Sequence, residues 1–144
     1  IMDATGEGLT AEDMNLPGKS LLDLVCEEEL DRQVLSEYHD GGSITGMFMI
    51  RRKHLKYICY PGYPPQLFDL EEDPHESTDL AQNSNYRHEV EDCHRALSGL
   101  VDPICVNRQA FTEQAAKVEE LGGRDGIESL ENFDQSPVPD FSEL

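Results

Sequence analysis

The sequence has no tryptophan and few other aromatic residues, five tyrosines and five phenylalanines among 144 residues. It also has few basic residues, because 11 lysines and arginines stand against 30 aspartates and glutamates, for a formal net charge of −19. A surface of that sign repels phosphate backbones, so the composition argues against nucleic-acid binding. No apolar run approaches the length of a membrane-spanning helix, and we therefore expect no membrane association.

Cysteine is present but in no recognisable arrangement. Cys26, Cys59, Cys93 and Cys105 are widely spaced, and no pair has the short interval of a metal knuckle or a redox dithiol. The chain is too large and too apolar to depend on disulfides as a small secreted scaffold does. We expect reduced, mostly buried thiols, which is typical of a cytoplasmic protein.

The centre of the chain has the two-residue period of β-strands. Four short runs rich in β-branched, aromatic and Met residues are separated by turn signals: "VLSEY", "GMFMIRR", "LKYICY" and "QLFDL". A tight turn is expected at Lys53 and His54, and the prolines of "GYPP" mark a bend before the last strand. These runs predict a meander of about four antiparallel strands.

Helical patterns flank this region. Ser20 is a plausible cap for a short segment through Val25, and "EEDPHESTDLAQN" predicts a turn entering a short helix. Apolar residues at intervals of three and four predict a helix over 86–100. Asp102 and Pro103 begin a second, stronger helix that is expected to end at Gly122 and Gly123.

The order of these elements predicts an α+β fold, a small antiparallel sheet of about four strands covered by C-terminal helices. We expect residues 1–124 to form one subdomain that opens with a helix end whose earlier turns are missing. The polar, proline-bearing residues 125–144 predict an extended C-terminal tail.

The strongest candidate for chemistry is the strand-end loop "SEYHDGGS", because such loops often carry functional side chains. A His beside an Asp is suited to general-base catalysis or metal binding, but neighbours in a strand point to opposite faces. A polar loop is therefore the favoured interpretation. His39, Asp40 and Ser43 remain weak candidates for lining a substrate cleft, and we assign no catalytic, cofactor or metal-binding residue.

The other candidates are weaker. Cys59 starts a Cys-any-Pro sequence but lies in a strand, where a thiol is usually a small apolar filler. The acidic string from Asp69 to Glu76 lacks the glycine and the closing Glu of a calcium loop. His75, His88 and His94 are not spaced as a ligand pair on one helix face, so we expect them at the surface.

The segment "PPQLFDLEEDPHESTDLA" closely resembles the tail signature of the sulfatase family. That signature is a strand ending in Leu-(Phe/Tyr)-Asp-Leu, an acidic Asp-Pro turn, a Glu and an (Asp/Asn)-Leu-Ala helix start. "LPGKSLLDL" looks like the family's Gly-(Arg/Lys)-Ser-Leu segment. The strands before the signature are similar to the C-terminal sheet of choline-sulfatase-like members, and "NRQAFTEQAAKVEELGGRDGI" resembles their late helix, so the resemblance covers nearly the whole chain.

The resemblance implies descent from ester hydrolases of the alkaline phosphatase superfamily, which cleave sulfate, phosphate or phosphonate esters. Their nucleophile is a formylglycine made in a Cys/Ser-any-Pro-any-Arg motif, beside a divalent metal that is usually calcium. In "CYPGY" Tyr63 stands where the arginine belongs, so the role does not transfer to Cys59. The matching segments are those of the smaller C-terminal subdomain, which packs beside the large α/β domain.

The resemblance thus implies a C-terminal part that is not catalytic on its own and whose partner is an N-terminal catalytic domain, with a homo-oligomer possible. Whether the chain by itself counts as an enzyme stays open. One alternative is a stand-alone acidic interaction module that uses the same fold. A more distant alternative is a self-contained small enzyme that uses His39, Asp40 and Ser43.

Overall fold

The computed structural model describes residues 5–8, 10–15, 20–26, 32–39 and 43–128. Its strands are β1 Gln33–Tyr38, β2 Met47–Arg52, β3 Leu55–Cys59 and β4 Gln66–Asp69. Its α-helices are α1 Leu21–Cys26, α2 Arg87–Leu100, α3 Pro103–Glu120 and α4 Gly123–Glu128. Short 3-10 turns cover Asp13–Asn15 and Ser84–Tyr86. The predicted α+β class is confirmed.

The four strands form one antiparallel sheet in the order β1-β2-β3-β4. In its register Leu35 lies opposite Ile50, Ile50 opposite Tyr57, and Tyr57 opposite Leu67. The two-residue turn between β2 and β3 falls at Lys53 and His54 as predicted, with a positive φ of 53° at Lys53. The meander expected from the sequence period is therefore confirmed.

The core lies between one sheet face and α2. Phe48, Ile50 and Leu67 are fully buried and pack with Cys93 and Leu97 of α2. The two helix residues are four apart and so share one helix face, which is the stripe that the sequence predicts. On the opposite sheet face, Val34 and Tyr38 of β1 are 41% and 50% exposed.

Local signals fix where the helices begin. The carboxylate of Asp102 accepts hydrogen bonds from the N–H groups of Ile104 and Cys105, and Pro103 is the first helical residue. Ser20 Oγ accepts from the N–H of Leu22 at the start of α1. α3 ends at Glu120, just before the predicted glycine pair, and the chain then enters α4 after a positive φ of 88° at Gly122.

The short helix predicted within 71–83 is wrong, because that segment consists of turns. Aspartate side chains accept its backbone N–H groups instead: Asp69 from Glu71 and Glu72, Asp73 from Thr78, and Asp79 from Ala81. Asx contacts of this kind compete directly with helical hydrogen bonds. The acidic string is thus a turn, as the sequence indicated.

Two predictions fall on parts of the chain outside the described residues. The broken helix end at the start of the chain includes residues 1–4, and the predicted tail includes residues 129–144. Of that tail, residues 125–128 belong to α4. Within the described residues, no helix is both long and apolar enough to cross a bilayer.

The core assignment can be tested with two leucines of the same helix. Leu97 is fully buried in α2, whereas Leu100 is 53% exposed. We expect Leu97→Ala to lower the free energy of unfolding by about 2–5 kcal/mol because it leaves a cavity against the sheet. Leu100→Ala should change it by less than about 0.5 kcal/mol. Urea denaturation followed by circular dichroism measures both, and equal effects would contradict the assigned core.

Candidate functional site

His39 directly follows β1, and its imidazole is packed rather than open to solvent. The ring lies edge-on to Phe48 with centroids 5.1 Å apart, and Nε2 is 3.4 Å from Oε2 of Glu37. Residues two apart in a strand share a face, which explains why Glu37 contacts the imidazole. Asp40, the partner weighed from the sequence, lies outside the described residues.

Helix α3 holds the loop around His39 at two backbone points. The N–H of Gly46 donates to Oδ1 of Asn107 at 2.6 Å, and Nε2 of Gln114 donates to the carbonyl of His39 at 2.6 Å. A Cβ at position 46 would lie 2.7 Å from Nδ1 of His39 and 3.0 Å from the Asn107 oxygen. Only glycine lets the strand, the imidazole and α3 meet so closely.

Ser43 is also engaged in holding the loop. Its hydroxyl donates to the carbonyl of Thr45 at 2.7 Å, and the Thr45 hydroxyl donates to the carbonyl of Pro61 at 3.0 Å. His39 and Ser43 do line one crevice, but it has no room for even a water molecule. The structure therefore brings these two predicted residues together, at the two described ends of the loop.

Two larger cavities flank the loop of residues 60–65. The first, which we call the Tyr57–His94 cavity, has a volume of about 580 Å³ and lies between this loop and the α2–α3 junction. The second, of about 670 Å³, lies on the other side and includes Ser43 and Ile44. Tyr60 and Tyr63 line both cavities. Volumes of this size are typical of small-molecule sites.

Tyr57 and Cys59 line the Tyr57–His94 cavity, and burial affects the ionisation of both. Burial raises the pKa of the Cys59 thiol, which disfavours the reactive thiolate. Burial is the main reason that the pKa of the Tyr57 hydroxyl lies above its ordinary value. The nearby thiols of Cys59 and Cys93 raise this pKa further. Both groups are thus neutral at physiological pH, and Cys59 is an apolar wall residue, as the strand context indicated.

The remaining candidates form no metal centre among the residues described. No three His, Cys, Asp or Glu side chains there are placed to hold a metal ion. His94 instead contacts Tyr57, with 3.0 Å between the hydroxyl and Nδ1. His54 lies 3.8 Å from Asp69, and Glu76 of the acidic turn pairs with Lys56 of β3 at 2.6 Å.

Comparisons with known proteins agree with this geometry. No protein-family model matches the chain. Arylsulfatase K of Gallus gallus is 42% identical over 79 residues, which covers 46% of this chain and 15% of that protein. Choline-sulfatase of Rhizobium meliloti is 42% identical over 66 residues, covering 46% of this chain and 13% of the relative.

The decisive comparison is with a solved structure. A Bacteroides thetaiotaomicron protein assigned as a sulfatase superposes with a TM-score of 0.53 and 30% identity, covering 68% of this chain and 22% of its own. This chain carries a sulfatase C-terminal portion. The resemblance read from the signature is thereby confirmed, and the sulfatase portion spans less than a quarter of each of these three proteins.

Several contacts of this sulfatase portion were not predicted from the sequence. Asn107 and Gln114 were assigned only to a helix, although a polar residue seven positions after another on one helix face is a detectable signal. Tyr63 was considered only for the missing arginine, and Tyr60 was not singled out. Cavities depend on tertiary packing, so no local pattern would have indicated theirs.

The close approach at Gly46 gives a matched pair of glycine variants. We expect Gly46→Ala to destabilise the fold by about 1–3 kcal/mol, because the new methyl group overlaps the His39 ring. Gly99 in α2 has nothing within 4 Å of an added Cβ. Gly99→Ala should therefore stabilise by up to about 1 kcal/mol through helix propensity. Thermal unfolding of both variants is the measurement, and a neutral Gly46→Ala would contradict the packing described for His39.

Thiol labelling tests the assignment of Cys59 to the wall. At pH 7 we expect iodoacetamide to modify the exposed Cys105 well before the half-buried Cys59. Because the Cys59 pKa is raised, its labelling rate should keep increasing above pH 9. Peptide mass spectrometry over a pH series measures both rates. Faster labelling of Cys59 than of Cys105 at pH 7 would instead identify an activated nucleophile.

Proposed function

We propose that this chain is the C-terminal, non-catalytic part of a sulfatase-like hydrolase whose intact form cleaves sulfate esters, or related phosphate or phosphonate esters. The observation that carries the proposal is the sulfatase C-terminal portion itself, identified by sequence and by superposition. The chemistry of the described residues supports the non-catalytic role. Cys59 has a raised pKa, and the hydroxyl of Ser43 is bound to a backbone carbonyl.

The partner in this proposal is an N-terminal catalytic domain. That domain would supply the formylglycine nucleophile and a divalent metal such as calcium, and we place neither on this chain. Apolar side chains for such a partner to cover are available on β1 and α3, where Val34 is 41% and Phe111 is 43% exposed. Covering them in a homo-oligomer is a second option. A cytoplasmic setting suits the free thiols of Cys59, Cys93 and Cys105.

Within the intact enzyme, we assign the loop from His39 to Ser43 to the wall of the substrate cleft. Three contacts support a wall role over a catalytic one: those of Gln114 with the His39 carbonyl, Asn107 with Gly46, and Glu37 with the imidazole. A loop that is held at fixed points can orient a substrate without bonding to it.

The second candidate function is a stand-alone interaction module. The formal net charge of −19 favours it, because so acidic a surface attracts basic partners at long range. Such a module would not need a catalytic domain for any activity, so a transplantation experiment separates the two functions.

In that experiment, residues 32–128 replace the corresponding C-terminal part of the Rhizobium meliloti choline-sulfatase, and ester hydrolysis is assayed. We expect the chimera to keep measurable activity and the isolated chain to have none. His39→Ala in the chimera should lower kcat/KM about tenfold, equivalent to about 1.4 kcal/mol, by loosening the cleft wall.

The matched control is His88→Ala, which alters an exposed histidine on α2. It should leave kcat/KM unchanged. Metal-dependent turnover by the isolated chain would contradict the proposal, and so would a folded but inactive chimera. In the latter case the interaction module would become the better explanation.

A further inference from the structure

The Tyr57–His94 cavity has a role in neither the ester-cleaving proposal nor the support of the His39 loop. Its floor is built from the buried sheet, since Tyr57 is only 2% exposed, and its volume is about 580 Å³. Concave sites of this size with a few converging polar groups are the usual form of small-molecule sites in proteins. The question is which chemistry the walls fit.

One wall carries a pair of polar groups held in a fixed position. The Tyr57 hydroxyl and Nδ1 of His94 are 3.0 Å apart, with the rings edge-on and their centroids 6.0 Å apart. This contact orients the imidazole of His94, which lines the cavity. Ser98 lies four residues further along α2 and lines the same cavity, so its hydroxyl faces the same side.

The opposite wall is aromatic and partly exposed. Tyr60 is held by a hydrogen bond from its hydroxyl to Oε1 of Gln66 at 3.1 Å, whereas Tyr63 is 52% exposed. At the helix junction Ile104 is 72% exposed and also lines the cavity. Apolar and aromatic side chains left uncovered around a cavity provide a surface on which a flat ring can be buried.

The charge of the cavity wall and of the chain favours one class of ligand. Asp102 is the acidic residue of the cavity wall, and the chain as a whole carries a formal net charge of −19. An anion would enter this cavity against the net charge of the chain, while a cation gains from the faces of the tyrosine rings and from the Asp102 carboxylate, whose Oδ1 also caps α3. The cavity is thus poorly suited to a sulfate ester, which separates it from the chemistry of the proposed parent enzyme.

We propose that the Tyr57–His94 cavity binds a small aromatic amine. The ring lies against Tyr60 and Tyr63, a polar substituent of the ring contacts His94, and the ammonium group is drawn towards Asp102. Because the site consists only of residues in the described fold, binding requires no catalytic domain. Binding of the amine is therefore independent of ester hydrolysis.

The test uses the full chain and two probes of similar shape and opposite charge, tyramine and 4-hydroxyphenylacetate. Titrations followed by ¹H–¹⁵N correlation spectra at low salt report both affinity and location. We expect tyramine to bind saturably with a Kd on the order of 1 mM, as suits a ligand of this size. The amides of Cys59, Gly62 and Ile104 should shift, and the acid should bind at least about fivefold more weakly.

Two tyrosine variants make the test specific. Tyr63→Ala removes an exposed ring from the cavity wall and should weaken tyramine binding at least about fivefold. Tyr38→Ala removes a ring of nearly equal exposure, 50%, from β1 and should leave the affinity unchanged. His94→Gln, which keeps a hydrogen-bonding group beside Tyr57, should weaken binding without unfolding the chain.

Three results would overturn the proposal. They are the absence of saturable shifts at the cavity amides, equal affinity for the amine and the acid, and equal effects of Tyr63→Ala and Tyr38→Ala. Loss of binding in Tyr63→Ala with well-dispersed spectra supports it, because the fold is then intact.

Discussion

The packing of α2 across one face of the sheet is the constraint on which the other features depend. Phe48, Ile50 and Leu67 are fully buried there, with Cys93 and Leu97 supplying the helix side. Because Cys93 is packed in this core, the adjacent His94 lies beside Tyr57 at the edge of the core. One hydrophobic contact thus sets both the stability of the domain and the placement of the most prominent polar pair in the cavity.

The two long helices contact the sheet through different kinds of interaction. α2 is held mainly by burial of apolar side chains, whereas α3 contributes Pro103 and the partly buried Val106 and adds hydrogen bonds from Asn107 and Gln114 to the sheet end. Hydrogen bonds are directional, so they fix geometry more than they add stability. The hydrogen bonds of α3 therefore fix the positions of His39 and Gly46 at the sheet end.

The sequence predicted what is encoded locally. Alternation of apolar residues located the four strands, and Asp102 with Pro103 located the start of α3, because both signals act within a few residues. The helix predicted within 71–83 failed because Asp69, Asp73 and Asp79 bind backbone N–H groups that a helix would use. The spacing of Asn107 and Gln114 on one helix face was a local signal, but their partners lie 61 and 75 residues away and could not be predicted from it. The cavities arise only from the assembled fold.

The hydrogen bonds from α3 to the His39 loop join residues far apart in the chain, which bears on when they form during folding. They span 61 and 75 residues, whereas the sheet and α2 form one continuous stretch of chain from Gln33 to Leu100 with neighbour-to-neighbour pairing. Short-range pairing closes early in folding, and synthesis delivers the sheet and α2 before α3. We therefore expect the two hydrogen bonds that fix His39 and Gly46 to form last, after synthesis has completed the sheet and α2.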